Sequence, residues 1–249
     1  MKPIIFLTLV FSVLCLGLFF SGCKKSSGNG TTEPLTYQVL EAQITAAGVT
    51  MDYFVGVPST YSPGDSPPLI LALHYGGDVV FTIGKVFLES LIEPALRTLE
   101  AIIVSPNCPG QGWTDPVSEE AVLAMLEQVK TQYNVDAGKI LVTGYSLGGI
   151  GTWHLAAKYP GMFACALPIS AAPTQQAFDT ISGIPLYVIH SRTDQVFPFT
   201  EVEALIAQLI NRGVSIQLKI LEGVSHYDTA AFVQPLSQAR SWIRSHWGL

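Results

Sequence analysis

The stretch Ile140-Leu141-Val142-Thr143-Gly144-Tyr145-Ser146-Leu147-Gly148-Gly149 decides how this chain is read. It is an apolar strand running into Gly-x-Ser-x-Gly, and the residues that follow have the pattern of a helix. Strand, sharp turn and helix in that order form a mechanical device. Larger side chains at 144 and 148 would strike neighbouring backbone, so the turn needs small residues there. The turn holds Ser146 in a strained conformation with its hydroxyl proud of the sheet edge. It also sets the Leu147 amide at a helix N-terminus, where free N–H groups and the helix dipole can stabilise an oxyanion. A tight turn alone would explain the glycines, but the partners that the chemistry demands also occur downstream.

A serine hydroxyl is a poor nucleophile at neutral pH. It needs a base to take its proton, and the base needs a carboxylate to fix its tautomer. Behind an elbow of this kind the chain order is Ser, then acid, then His. His226 sits in Glu222-Gly223-Val224-Ser225-His226-Tyr227-Asp228, a polar loop straight after the strand-like run Ile216–Leu221. The C-terminal end of a strand is where α/β folds place their chemistry. The other histidines have plainer accounts. His246 lies beside Trp247 at a fraying helix end, His190 closes the apolar run 185–189 as a hydrogen-bonded strand-end residue, and His154 packs two turns into the helix after the elbow. His226 is the expected base.

The acid must lie between Ser146 and His226, after a strand. Asp179 and Asp194 are the only aspartates there, and only Asp194, in His190-Ser191-Arg192-Thr193-Asp194-Gln195, follows one. Glu201, Glu203 and Glu222 are alternatives, but the first two open a helix in which Thr200-x-x-Glu203 reads as a capping box. Asp194 is the expected acid.

With these residues in place the chain resembles the α/β-hydrolase superfamily, and within it the small serine esterases of the phospholipase/carboxylesterase, feruloyl-esterase and dienelactone-hydrolase groups. Over residues 50–245 the resemblance is carried by the elbow 144–148, the Asp194 loop and the loop 223–226. A fourth motif, Leu73-His74-Tyr75-Gly76-Gly77, resembles the family's His-Gly oxyanion loop. Tyr75 stands where many relatives have glycine, which leaves two candidates for the second oxyanion amide: Gly76 by position, and Tyr75 after it. His74 reads as a buried brace for this loop. The segment 105–113 resembles a pocket-lining loop of these esterases, which makes Trp113 a candidate wall for an acyl or aryl group, with Tyr75 and Tyr145 as further lining. The resemblance implies an α/β-hydrolase fold, a mostly parallel sheet with helices on both faces, working without metal or other cofactor.

The rest of the chain agrees with that fold. Residues 37–46 and 50–57 alternate around Gly48 as a hairpin, and the apolar runs 69–73, 101–105, 140–144, 164–169, 185–190 and 215–221 read as buried parallel strands. Asp115-Pro116 opens a helix whose apolar stripe is Val122, Met125, Leu126, Val129 and Tyr133, and another helix is expected over 200–212, stopping at Gly213. Only residues 171–183 lie between the strand after the elbow helix and the acid-bearing strand, so no lid domain fits.

The front of the chain bears on location. Met1-Lys2 supplies a positive charge and residues 4–20 form an apolar core of signal-peptide length. It ends at Phe20-Ser21-Gly22-Cys23, which resembles a lipoprotein signal, with small residues before a cysteine that becomes lipidated. Residues 1–22 are expected as signal peptide, 23–34 as lipidated Cys23 and a flexible linker, and 35–249 as the catalytic domain. An uncleaved anchor is the rival, but the apolar run is marginal for a span, which takes about 20 residues. The expected location is the cell envelope, on a bacterial membrane outside the cytoplasm.

The apolar share of 49% is inflated by this leader and does not mark a polytopic membrane protein. A net charge of −6 without a basic run argues against a nucleic-acid partner. Cys108 and Cys165 fall at opposite ends of a parallel sheet, beyond the roughly 7 Å Cα separation that a disulfide tolerates. No metal-ligand spacing occurs.

Taken together, the expectation is a lipid-anchored serine carboxylic-ester hydrolase. Ser146 attacks, His226 moves protons, Asp194 orients His226, and the Leu147 and Gly76 amides hold the oxyanion. An open site suits an ester on a small molecule or an acylated polysaccharide. A serine peptidase of prolyl-oligopeptidase type shares the chemistry, but such enzymes usually carry a propeller. A non-catalytic binding lipoprotein that keeps the fold would not be expected to keep Ser, Asp and His together. The acyl group, the alcohol and the oligomeric state stay open.

Overall fold

Alternate residues of the inner strands face two different cores, which is why these strands read as unbroken apolar runs. In β3 (Leu69–Leu73), Leu69, Leu71 and Leu73 enter one core while Ile70 and Ala72 enter the other. A strand buried on both faces has few positions for a polar residue. The computed structural model describes residues 35–77 and 81–249; the expected signal peptide, Cys23 and the linker lie outside the described residues.

The remaining strands are β1 (Tyr37–Ala46), β2 (Val49–Pro58), β4 (Ile102–Pro106), β5 (Ile140–Tyr145), β6 (Cys165–Ile169), β7 (Leu186–Ser191) and β8 (Ile216–Leu221). They form one eight-stranded sheet in the order β1-β2-β4-β3-β5-β6-β7-β8. The pairs β1–β2 and β2–β4 are antiparallel and all later pairs are parallel. The hairpin turns at Ala47 (φ 52°) and Gly48 (φ 76°), the two positive φ values that a type I′ turn needs.

Helices cover both faces. On one side lie α3 (Pro116–Tyr133), α4 (Leu147–Lys158), α5 (Gln175–Thr180) and α6 (Phe199–Asn211). On the other lie α1 (Ile83–Phe87), which runs through a π-helical turn into α2 (Glu93–Leu96), together with α7 (Val233–Ser237) and α8 (Arg240–His246). Asp115 caps α3 by accepting the Val117 amide at 2.8 Å, and the five stripe residues from Val122 to Tyr133 are all buried. Glu119 ties α3 to the end of α4. Its carboxylate accepts from Lys158 Nζ (2.7 Å), the Tyr159 hydroxyl (2.6 Å) and His154 Nε2 (2.5 Å). Burial opposes the charge, yet these donors outweigh it and hold the Glu119 carboxyl at about 2. His154 is therefore a packed, bonded residue.

One expected detail is corrected. Helix α6 begins at Phe199, one residue before the expected start, so Thr200 lies inside the first turn and makes no capping bond. Phe199 is buried, with the Arg192 guanidinium over its ring, and that tertiary contact draws the helix start back to Pro198. Between β6 and β7 the only element among the described residues is α5, with its connections.

Candidate active site

The elbow at the end of β5 is as tight as its glycines suggest. Ser146 has φ 55° and ψ −114°, a region that costs an ordinary side chain about 1–3 kcal/mol. A Cβ on Gly144 would lie 2.3 Å from the Gly148 carbonyl oxygen, and one on Gly148 would lie 1.8 Å from that of Leu73. No side chain fits either position without moving backbone.

The turn points Ser146 Oγ at His226, with Oγ 3.0 Å from His226 Nε2. On the other edge of the ring, His226 Nδ1 is 2.8 Å from Asp194 Oδ2. Asp194 Oδ1 accepts the amides of Val196 (2.9 Å) and Phe197 (2.8 Å). Burial alone would raise the Asp194 carboxyl. The His226 bond and these two amides overcome it and hold the group below the usual aspartate range, ionised and aimed at the imidazole.

Several residues that hold this line together have no signature in the sequence. Gln195 Oε1 accepts the His226 amide (2.9 Å) and the Ser225 hydroxyl (3.1 Å). Ser191 Oγ donates to the Val224 carbonyl at 2.6 Å. These bonds join the loops after β7 and β8, so the acid and the histidine move as one unit. The buried Tyr145 hydroxyl donates to the His226 carbonyl at 2.5 Å, which ties the elbow to the same unit. Among the expected alternatives, Asp179 is exposed and its carboxylate accepts only from Gln175 among the described residues, and His190 is buried with Nε2 on the Phe197 carbonyl.

The loop after β3 lies against the elbow. A Cβ on Gly76 would sit 3.5 Å from the Leu147 side chain, so its backbone adjoins the start of α4. The amides of Tyr75, Gly76 and Leu147 donate to no acceptor among the described residues. His74 braces this loop as expected. Its Nδ1 donates to the Tyr75 carbonyl (2.6 Å) and its Nε2 accepts the Cys108 amide (3.1 Å), a pattern only the neutral ring can make. A cavity of about 420 Å³ opens over Ser146, lined by Tyr75, Gly76, Tyr145, His226 and Tyr227.

Trp113 is not a wall of that cavity. It is 2% exposed, its ring edge meets His74, and its Nε1 donates to the His74 carbonyl at 2.9 Å. The space it fills exists because Gly151 of α4 lacks a side chain; a Cβ there would lie 2.4 Å from Trp113 Cβ. Cys108 and Cys165 are both free.

The acid limb of stability follows from these groups. Burial lowers the pKa of His74 and of His190 below the ordinary histidine value, so the unfolded chain takes up these protons first as pH falls. Their contribution is complete above about pH 6.5 and drains below it. The depressed Asp194 and Glu119 add losses of the same sign below about pH 4.5. Urea denaturation midpoints are therefore expected to fall steadily from pH 7.5 to pH 4. A midpoint that is constant or rises over that range would contradict the buried, neutral histidines.

Comparison with known proteins agrees with this architecture. The chain is 25% identical over 165 residues to the bifunctional acetylxylan esterase/xylanase of Neocallimastix patriciarum, covering 64% of this chain and 24% of that one. It is 28% identical over 155 residues to a probable feruloyl esterase C of Aspergillus flavus, covering 59% and 56%. The chain thus spans about half the length, or less, of these two relatives. A solved ferulic acid esterase superposes with a TM-score of 0.67 over 84% of this chain and 99% of its own, at 17% identity, which shows the fold. The dienelactone hydrolase family model matches residues 111–242, more than half of the chain, and takes in the elbow, the Asp194 loop and the His226 loop. The chain belongs to the dienelactone hydrolase family.

Proposed function

We propose that the domain is a serine carboxylic-ester hydrolase acting on exposed esters of carbohydrates. The observation that carries this reading is the unbroken line from Ser146 Oγ through His226 to Asp194 at the mouth of an open cavity. As Ser146 Oγ bonds to the ester carbon, its proton passes to His226 Nε2. The carbonyl π pair moves onto oxygen, where the amides of Leu147 and Gly76 receive it. The pair then returns, the bond to the alcohol oxygen breaks, and His226 delivers its proton to that oxygen. Water repeats the sequence on the acyl-enzyme, and Asp194 stays ionised throughout. Support for a carbohydrate ester comes from the two relatives, an acetylxylan esterase/xylanase and a probable feruloyl esterase by name, and from the open cavity over Ser146. The test is a fluorophosphonate probe with peptide mapping. Labelling confined to Ser146 is expected, and labelling at a different serine would overturn the assignment.

We propose further that the domain is lipid-anchored through Cys23, on the strength of Phe20-Ser21-Gly22-Cys23 after the apolar core. A diacylglyceryl thioether and an acylated N-terminus bury many CH₂ groups at about 0.8 kcal/mol each, so attachment should resist salt. Cys23→Ser is expected to leave an unprocessed precursor, and a chain beginning at Ser26 to be soluble and fully active. Fractionation with intact mass decides this: wild type released by salt, or with an unmodified Cys23, would mean an ordinary signal or anchor.

A further inference from the structure

Each side-chain partner of His226 has a chain neighbour that grips the His226 backbone. Gln195 follows Asp194, and its Oε1 accepts the His226 amide at 2.9 Å. Tyr145 precedes Ser146, and its hydroxyl donates to the His226 carbonyl at 2.5 Å. Neither backbone group has another partner among the described residues. Pinning the groups on both sides of one Cα fixes where it sits and where its Cα–Cβ bond points. His226 needs such a grip because of where it comes from. Ser146 and Asp194 follow β5 and β7, which are buried along their whole length. His226 follows β8, a half-buried strand at the sheet edge with a single neighbour. Its ring must meet Asp194 at 2.8 Å and Ser146 at 3.0 Å together, and a loop free to shift would keep only one of them.

We propose, resting on the serine-esterase reading above, that Gln195 and Tyr145 form a paired clamp that keeps the His226 imidazole in reach of Ser146 and Asp194 at once. Both are positioning residues: they act through the His226 backbone and carry no proton of the reaction. Each jaw is itself fixed. Gln195 Oε1 takes a second donor, the Ser225 hydroxyl at 3.1 Å, so both of its lone pairs are used and the amide has one orientation. The Tyr145 ring is buried edge-on against Phe232 and Tyr75, and burial pushes its phenol above the ordinary tyrosine range, so it remains a donor at neutral pH. Two holders of one residue fail in a particular way. With one bond lost the other still places His226, and only the loss of both frees it.

The test is a double-mutant cycle in the full-length protein with Gln195→Met and Tyr145→Phe, which keep the bulk and remove the acceptor or the donor. Hydrolysis of 4-nitrophenyl acetate is followed at about pH 8, above the ordinary histidine range. Each single variant is expected to lower kcat about tenfold and the pair to lower it by about 10³, more than the product, because about 1 Å of misplacement can cost 10²-fold. KM should stay near the wild-type value, since His226 serves acylation and deacylation alike. Gln195→Glu, which keeps an acceptor, should recover most of the kcat lost in Gln195→Met. Without substrate, the low-field proton resonance of His226 Nδ1–H, assigned by its absence in His226→Gln, is expected in wild type and in each single variant and to be lost in the pair. A multiplicative or smaller loss in the pair, a change in KM in place of kcat, Gln195→Glu no better than Gln195→Met, or a resonance absent from wild type or persisting in the pair would overturn the clamp. If the pair unfolds, the single variants and Gln195→Glu decide. A wild type that cleaves no ester yet shows the resonance, lost in a folded pair, would instead overturn the esterase reading and keep the clamp.

Discussion

Ser146→Ala is expected to lower kcat for ester hydrolysis by a factor on the order of 10⁴–10⁶, with residual rate from binding and the oxyanion amides. The size follows from what the substitution removes. Without Oγ there is no acyl-enzyme, and His226 loses the group it faces at 3.0 Å. Water would have to be placed and activated in a site shaped for a fixed nucleophile. The backbone should not object, because alanine at φ 55° carries the same strain as serine, and the Ser146 hydroxyl makes no cap bond in α4. Thermal stability is expected to match wild type within a few degrees, so lost rate reports chemistry and not unfolding. A variant that kept more than about a hundredth of wild-type kcat would show that the reaction does not pass through Ser146.

Asp194→Asn is expected to cost about 10⁴ in kcat with the fold preserved. Asn Oδ1 can still accept the Val196 and Phe197 amides, so the loop keeps its shape. The change falls on the other atom. An NH₂ group in place of Oδ2 donates to His226 Nδ1 and forces the proton onto Nε2, the nitrogen that must accept from Ser146. Asp179→Asn is the control and is expected to be nearly silent, since Asp179 is exposed and its carboxylate accepts only from Gln175 among the described residues. If Asp179→Asn were the crippling change, the acid would not be the carboxylate that the geometry brings to His226.

The fold and the core of the site were legible in the sequence because their causes are local. A parallel strand buried on both faces is largely apolar, so β3 to β7 show themselves as short apolar runs, interrupted only by Ser105, Thr143, His190 and Ser191. Gly144 and Gly148 are required by backbone atoms within their own turn and the adjoining strand. The order of Ser146, Asp194 and His226 follows from which strand ends precede which loops. What the tertiary structure alone decided depends on through-space partners that no spacing encodes. Trp113 turns inward because Gly151 leaves room and His74 offers a carbonyl, both from elements about forty residues along the chain. Helix α6 starts early because Phe199 is buried beside Arg192. Gln195 and the Tyr145 hydroxyl serve His226 through its backbone, and a backbone atom looks the same at every position until folding brings a particular donor to it.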